Sequence, residues 1–382
     1  MPNPAPPQAQ APQDDSVKLQ KWAGLKNTVD RERLGPDELE KAINIDLDDV
    51  GQAHRRQGQT LLLPGACGSL FTTTAGKVIL IKDGVLGVLL PNLTFQEIEA
   101  GYENVTLAYV QVGTDIYFSG GASGVSGIID ENTLVVNNWG PKEDFWLSPV
   151  VNPTATLPAI RGRLLGKPPA ATVLGYWNGQ IWLAQGRLLW HTELFTYGLV
   201  DKTKNFYQYE ADITMIGPVT DGIYVGTTEG VWFTQPVRLG RTEENKGFKR
   251  DRVMDSGVIP GTMVSLPSEL ANPAQVGLDQ ETPMKVSIAF MTNEGFCGGQ
   301  DGGTCYNFTE EKFAFPQMVY GAAMFRRQAG MNQYVVAGNS VGDPVQHARI
   351  GDYVDAQIVR AGDWRQLEEC LKITDTFTVD II

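Results

Sequence analysis

Gly338-Asn339-Ser340-Val341-Gly342 matches the G-x-S-x-G frame and follows the strand-like run Tyr334-Val335-Val336-Ala337. In that frame a serine stands exposed on a sharp strand-to-helix turn and attacks a carbonyl while a histidine takes its proton. Two features count against it here. Gly342-Asp343-Pro344 is a turn signal where a helix must begin. The one histidine downstream, His347, follows too closely for a hydrolase of that kind. A Gly-rich hairpin loop is the reading.

Other chemical spacings fail on their own terms. Gly162-Arg163-Leu164-Leu165-Gly166-Lys167-Pro168 is one residue short of a phosphate loop, and proline stands where a hydroxyl should hold magnesium. Asp46-Leu47-Asp48-Asp49-Val50-Gly51 starts like a calcium loop but has Gln57 where the ligating glutamate belongs, so it reads as a hairpin turn. His54, His191 and His347 are the three histidines, and none lies near Cys297 and Cys305, so no metal is expected. Cys297 and Cys305 could be bridged across a hairpin; free thiols are the expectation for a protein made in the cytosol. The 44 acidic residues leave paired carboxylates for glycoside hydrolysis open, yet no repeated S-x-D-x-G-x-x-W boxes or Trp-Asp strand endings accompany them. Trp177, Trp182, Trp190 and Trp232 have the look of a sugar platform, but at strand spacing they read as core between sheets. No catalytic residue and no cofactor is expected.

The elements that carry these residues are short strands. Ile223-Tyr224-Val225, the loop 226–230 and Val231-Trp232-Phe233 form two β-branched and aromatic runs joined by a Gly-bearing bend, preceded by the turn residues Pro218, Asp221 and Gly222. Looser copies centre on Gly76, Gly113, Gly179, Gly295 and Gly330. Their mean spacing of about 51 residues is close to that of propeller blades, which take four strands each. The expectation is an all-β chain: a β-propeller of about six four-stranded blades over 58–382, with insertions near 141–169 and 242–283. Residues 1–16, rich in Pro, Ala and Gln, read as an extended arm. Residues 17–57 read as an N-terminal segment with a short helix at 36–42 and a charged hairpin, Ile43, Ile45 and Leu47 alternating outward and returning through His54, Arg55 and Arg56. A second short helix is expected at 363–372 and a closing strand at 374–382.

Bulk properties narrow the function. A net charge of −13 over 382 residues, with a pI of about 4.8, argues against a surface built to grip nucleic acid or an anionic membrane. The start lacks the basic and apolar regions of a signal peptide, and no stretch approaches the roughly 20 apolar residues of a membrane span. Synthesis in the cytosol is expected.

The run Trp22-Ala23-Gly24-Leu25-Lys26-Asn27-Thr28-Val29, then Leu39, Ala42, Ile43-Asn44-Ile45-Asp46-Leu47-Asp48 and Gly51, then Arg55-Arg56-Gln57-Gly58, resembles a pattern of bacteriophage virion proteins. There it reads approximately G-L-N-N-V…L…A-x-N-V-D-I-D-x-x-G-x…R-R-x-G. The family comprises tail hub, nozzle and packaged-DNA stabilisation proteins of short-tailed phages, which carry β-propeller domains. The resemblance covers residues 20–60 and 160–240 and extends elsewhere only in strand-turn texture. Lys26, His54 and the Pro-rich arm depart from it at surface positions.

The resemblance implies a non-enzymatic tail component: a homo-oligomeric ring, with six copies expected, continuing the DNA conduit below the portal and adaptor. Its partners would be copies of itself, the head–tail connector, other tail proteins, a host surface and double-stranded DNA that passes without specific binding. An acidic bore suits that task, because it avoids the counterion-release attraction that would hold the phosphate backbone. Trp22, Leu25, Asn27, Asp46, Asp48, Arg55 and Arg56 are the candidate assembly residues. The alternatives are a tail-associated hydrolase using Ser340 or an acidic pair on host surface polymer, and a monomeric protein-binding propeller.

Overall fold

The computed structural model describes residues 24–40, 45–47, 53–55, 62–147, 163–238, 246–266, 286–310, 315, 317–328, 331–340 and 375–380. Two compact units divide the chain: Met1–Gly58 with Glu311–Ala314, and Gln59–Glu310 with Phe315–Ile382.

In the first unit, Gly24–Leu25 pairs in parallel with Glu38–Leu39, joined through a 3-10 turn at Arg31–Arg33. The helix expected at 36–42 is therefore not formed where residues are described. The carboxylate of Glu38 accepts from Lys26 Nζ at 2.8 Å and from the Gly35 N–H at 2.8 Å, while Leu39 pairs with Leu25. These contacts hold the backbone extended, and seven residues are too few to be helical against them. The charged hairpin is present as Ile45–Leu47 against Ala53–Arg55, with Asp46 opposite His54. The helix expected at 363–372 lies outside the described residues.

The second unit is a β-propeller whose described blades are consecutive antiparallel meanders. The first sheet runs Cys67–Thr72, Val78–Lys82, Val85–Leu89, Phe95–Ala100, and the second Ala108–Val112, Asp115–Ser119, Ser126–Asp130, Val136–Asn138. The third is Val173–Trp177, Gln180–Gln185, Leu188–His191, Phe206–Gln208, and the fourth Ile213–Pro218, Ile223–Thr227, Val231–Arg238, Lys246–Met254. The fifth is Val264–Ser265, Val286–Thr292, Gly295–Gln300, Cys305–Asn307. The sixth has three described strands, Met318–Gln328, Met331–Ser340 and Asp375–Asp380, the last being the strand expected near the C-terminal end. The pairs centred on Gly76, Gly113, Gly179, Gly222 and Gly295 fall on hairpins of these sheets, and Gly330 lies outside the described residues.

Residues 242–283 are not a loop excursion throughout. Lys246–Met254 is the outer strand of the fourth sheet and Val264–Ser265 the first strand of the fifth. The outer strand hid because its face toward the third sheet carries Phe248, Arg250 and Arg252, and only the first of these is apolar. Guanidiniums lying over aromatic rings cover apolar surface without reading as apolar in the sequence.

Neighbouring sheets stack face to face, so their central strands are buried on both sides and read as continuous apolar runs. Ile223–Thr227 is buried at all five positions. Five core clusters join the sheets in succession. Leu86 of the first meets Ile116 and Phe118 of the second; Tyr117 meets Leu174 and Ile181 of the third; Trp182 meets Ile216 and Ile223 of the fourth; Tyr224 meets Ile288 of the fifth; Ala289 meets Tyr334 of the sixth. Polar rivets cross the same seams. Trp177 Nε1 donates to the Val219 carbonyl at 2.8 Å, and the Tyr224 hydroxyl reaches the carbonyls of Gln300 and Thr304 at 2.6 and 2.8 Å. At the last seam Gly261 takes φ +81°, and a Cβ there would lie 2.1 Å from the Gly321 carbonyl oxygen. Only glycine permits that approach.

Cys297 faces Asn307 and Cys305 faces Gly299, which sets the two sulfurs on a diagonal of adjacent strands, both free. A diagonal pair sits about 7 Å apart or more, too far for a disulfide without backbone movement. Burial pushes the Cys297 thiol far above its ordinary range and Cys305 up to about 12, so neither is a nucleophile at neutral pH. Among the described residues no helix is long and apolar enough to cross a membrane.

A candidate interaction surface

The residues singled out for chemistry do not converge. Ser340 ends a strand, opposite Met318, and the residues that would follow it in a nucleophile turn, His347 among them, lie outside the described residues. Arg163–Gly166, the would-be phosphate loop, is a strand. Trp182 is fully buried and Trp177 nearly so, between the third and fourth sheets, as core. Trp190 packs on Phe206 and Trp232 lies under Arg252. Among the described residues no cluster of three His, Cys, Asp or Glu is arranged to hold a metal.

Of the candidate assembly residues, Trp22, Asp48 and Arg56 lie outside the described residues. Leu25 is half-buried in the parallel pair and Asn27 is exposed beside it. Asp46 and Arg55 share the charged hairpin, where Arg55 is opposite Ile45 and exposed.

What does gather is an apolar surface beside the third sheet, absent from the reading of single residues. The loop after Leu188–His191 doubles back through a bridge between Glu193 and Thr196 and presents Leu194 and Phe195 to solvent, 55% and 71% exposed. Phe195 donates its N–H to the Gly179 carbonyl at 2.8 Å, lays its ring over Gly179, and holds φ at +53°. That conformation costs a bulky residue roughly 1–2 kcal/mol. Tyr176 and Tyr197 stand beside it, their hydroxyls 3.4 Å apart. A separate three-stranded sheet, Phe145–Leu147, Arg163–Gly166 and Val200–Asp201, has an edge strand exposed on both faces, with Phe145 and Leu147 on one and Trp146 on the other.

A buried charge network braces both pieces. Asp201 has a fully buried side chain and accepts from Arg163 Nε at 2.9 Å, from Thr203 Oγ1 at 2.6 Å and from the Thr203 N–H at 3.0 Å. Arg163 also pairs with Glu193, which accepts from Asn205 Nδ2 at 2.7 Å. Burial pushes the Asp201 carboxyl up, but the bonds from Thr203 and Arg163 outweigh it and hold the group below the ordinary carboxylate range. One guanidinium thus ties the small sheet, the loop base at Glu193 and the strand ending at Asp201. Lys202 adds an ion pair to Asp144, one residue before Phe145, at 2.6 Å. His191, half-buried next to the network and hydrogen-bonded to Gln180 at 2.9 Å, is pushed below its ordinary value by loss of solvent.

Strained, braced and apolar, this surface is equipped to bury area against a protein. Aromatic side chains bury about 150–250 Å² each, and covered apolar area is worth about 25 cal/mol per Å². The sequence signal for it was the unalternating Phe145-Trp146-Leu147 inside a stretch otherwise read as loop. Replacing Phe195 with asparagine, a residue tolerant of the left-handed conformation, is expected to change folding stability by no more than about 1 kcal/mol, the relieved strain offsetting lost packing on Gly179. The same change is expected to weaken self-association at least tenfold in size-exclusion chromatography with light scattering. A loss of stability with unchanged association would show the loop to be core.

No family model matches the chain, and no curated protein matches it in sequence. Among solved structures it is similar to BBS1N, crystallised in complex with ARL6DN, at 10% identity, covering 75% of this chain and 78% of that one with a TM-score of 0.43. It is similar to the extracellular domain of the putative hybrid two-component system BT4673 from B. thetaiotaomicron at 12% identity, covering 73% of this chain but 32% of that one, TM-score 0.43. Hsv2 of Kluyveromyces marxianus matches at 10% identity over 72% of this chain and 89% of that one, TM-score 0.32. None of the three is a basis for assigning a ligand or partner to this chain.

Proposed function

We propose that the chain is a structural, non-enzymatic virion protein of a short-tailed phage tail, a hub or nozzle component made in the host cytoplasm. Six copies form a ring that continues the DNA conduit below the portal and adaptor and helps retain and release the genome. The observation that carries this reading is the strained aromatic surface braced by the Arg163–Asp201 network. A chain that keeps such a surface in water when alone is built to have it covered. The pattern from Trp22 to Gly58 supplies the phage assignment, and a net charge of −13 per copy supplies the non-adhesive bore.

Mass photometry of the purified chain tests the ring. The expected result is a species near six times the 41.8 kDa chain. A 41.8 kDa particle at micromolar concentration and low salt sinks the ring. Imaging purified virions tests the location, and the chain lying off the central tail axis sinks the conduit.

A further inference from the structure

Outer strands of propeller blades are exposed edges, and short strands are one way to blunt them. The second, third and fifth sheets comply: Val136–Asn138, Phe206–Gln208 and Cys305–Asn307 have three residues each. The sixth ends, among the described residues, on the six-residue Asp375–Asp380, and the first and fourth are long as well. Phe95–Ala100 has six residues and Lys246–Met254 has nine, and each ends its sheet with no further strand beyond it among the described residues.

These two long edges are opposite in charge. The first presents Gln96, Glu97 and Glu99 to solvent, with exposed Glu103 just beyond, and contains no lysine or arginine. Glu99 accepts from the Tyr102 hydroxyl at 2.6 Å, while Glu97 has no partner among the described residues. Lys82 sits over the Phe95 ring at 5.5 Å and pairs with Asp83. The second edge exposes Lys249, Arg250 and Arg252 with one acid, Asp251, inside the strand and a second, exposed Asp255, just beyond it. Its guanidiniums are held in place by aromatic rings, Arg250 over Tyr209 at 5.4 Å and Arg252 over Trp232 at 5.7 Å. Lys249 pairs with Asp251 at 2.6 Å and Arg252 with Asp255 at 2.8 Å, whereas Arg250, which also donates to the Gln208 carbonyl at 2.6 Å, is held on its ring with no acidic partner among the described residues.

Two whole sheets separate these strands in the blade order, so one copy does not pair its own two edges. We infer that the acidic outer strand of the first sheet docks on the basic outer strand of the fourth sheet of a second copy of this chain, head to tail. Backbone N–H and C=O groups left open on both strands pair across the junction, and Glu97 and Glu99 meet Lys249 and Arg250. A heterologous contact of this kind generates a ring when its rotation closes. The inference rests on the ring reading above and names the seam between its copies.

Charge reversal tests it by mass photometry and light scattering at about 0.05 M and about 1 M salt, where the screening length falls to about 3 Å. Glu97→Lys alone, and Lys249→Glu with Arg250→Glu, are each expected to weaken assembly at least tenfold. The chain carrying all three changes presents swapped but matched edges and is expected to regain assembly. Raising the salt is expected to dissociate the wild-type assembly. Far-ultraviolet circular dichroism unchanged from wild type assigns the losses to the seam, and these side chains are exposed. Rings that persist in both single-edge variants, or a combined variant that stays dissociated, overturn the edge pairing and leave the ring reading standing. A wild-type chain that is monomeric at low salt overturns both.

Discussion

Trp182→Ala is expected to remove about 4 kcal/mol of folding stability, the size seen when a large buried aromatic is deleted and the void is not refilled. Trp182 is fully buried in the second strand of the third sheet. Its ring lies 5.4 Å from Phe248, 6.3 Å from Trp177, 6.3 Å from Tyr207 and 5.0 Å from His191. Those neighbours come from three separate strands of the third sheet and from the outer strand of the fourth. Collapse to fill the space would have to move two sheets together, so the cavity stays open. In a thermal melt the loss corresponds to a shift of roughly 6 °C for a unit of this size. Trp190→Ala provides the contrast. Trp190 is half-buried on the opposite face and should lose less than half as much. A Trp182→Ala variant within about 1.5 kcal/mol of wild type would mean the third and fourth sheets are not packed through this ring.

Arg163→Met is the second large effect, expected to cost about 3 kcal/mol. Methionine keeps the length of the stem and removes the charge, so Asp201 is left buried with Thr203 and the more distant Lys204, 3.8 Å away, as company. Breaking a buried pair from one side typically costs about 3–5 kcal/mol, and the partial exposure of Arg163 places this case at the low end. Asp201→Asn with Arg163→Met together should cost less than the sum, since the stranded charge is gone. A purely additive double variant would show the two groups to be uncoupled.

Asp201 of this network, with two carboxylates of the second sheet, sets the acid limit. Asp201, Glu131 and Asp130 are held below their ordinary values in the folded chain, Asp201 against the pull of its burial. Their contribution is present above the unfolded carboxylate range near 4 and is lost as pH falls through the lower folded values. His191 works in the same direction, because a histidine pushed down in the folded state binds its proton more readily when unfolded, from about pH 6.5 downward. Urea midpoints should therefore fall in two stages as pH drops from 7 to 3. In Arg163→Met the carboxylate stage should shrink.

The repeat of hairpins was legible because each blade announces itself locally. Gly76, Gly113, Gly179 and the others sit at bends between β-branched and aromatic runs, and a bend of that kind needs no distant partner to be recognised. The Trp182 core was legible for the same reason, as a large ring on a strand facing inward. Lys246–Met254 was not, because its inward face is made largely of arginine guanidiniums resting on Tyr209 and Trp232, rings far away in sequence. At 36–42 the local preference of Pro36, Asp37 and Glu38 for a helix start lost to a pairing with Leu25 that only the fold supplies. The interaction surface was hidden twice over. Phe195 looks like any loop aromatic until its backbone angle is known, and Arg163 meets Asp201 across 38 residues.

The serial joining of sheets also bears on how such a chain matures. Each blade is woven from one contiguous stretch, so it can form as soon as that stretch leaves the ribosome, and its free flank then templates the next. Growth by accretion keeps loop-closure costs low, but at every stage the newest blade displays a bare, water-averse flank awaiting its neighbour. A nascent chain halted after the fourth blade would show Tyr224 and Val231, buried in the finished protein. Holdase chaperones recognise such flanks, so dependence on them during synthesis should rise and fall with each blade completed.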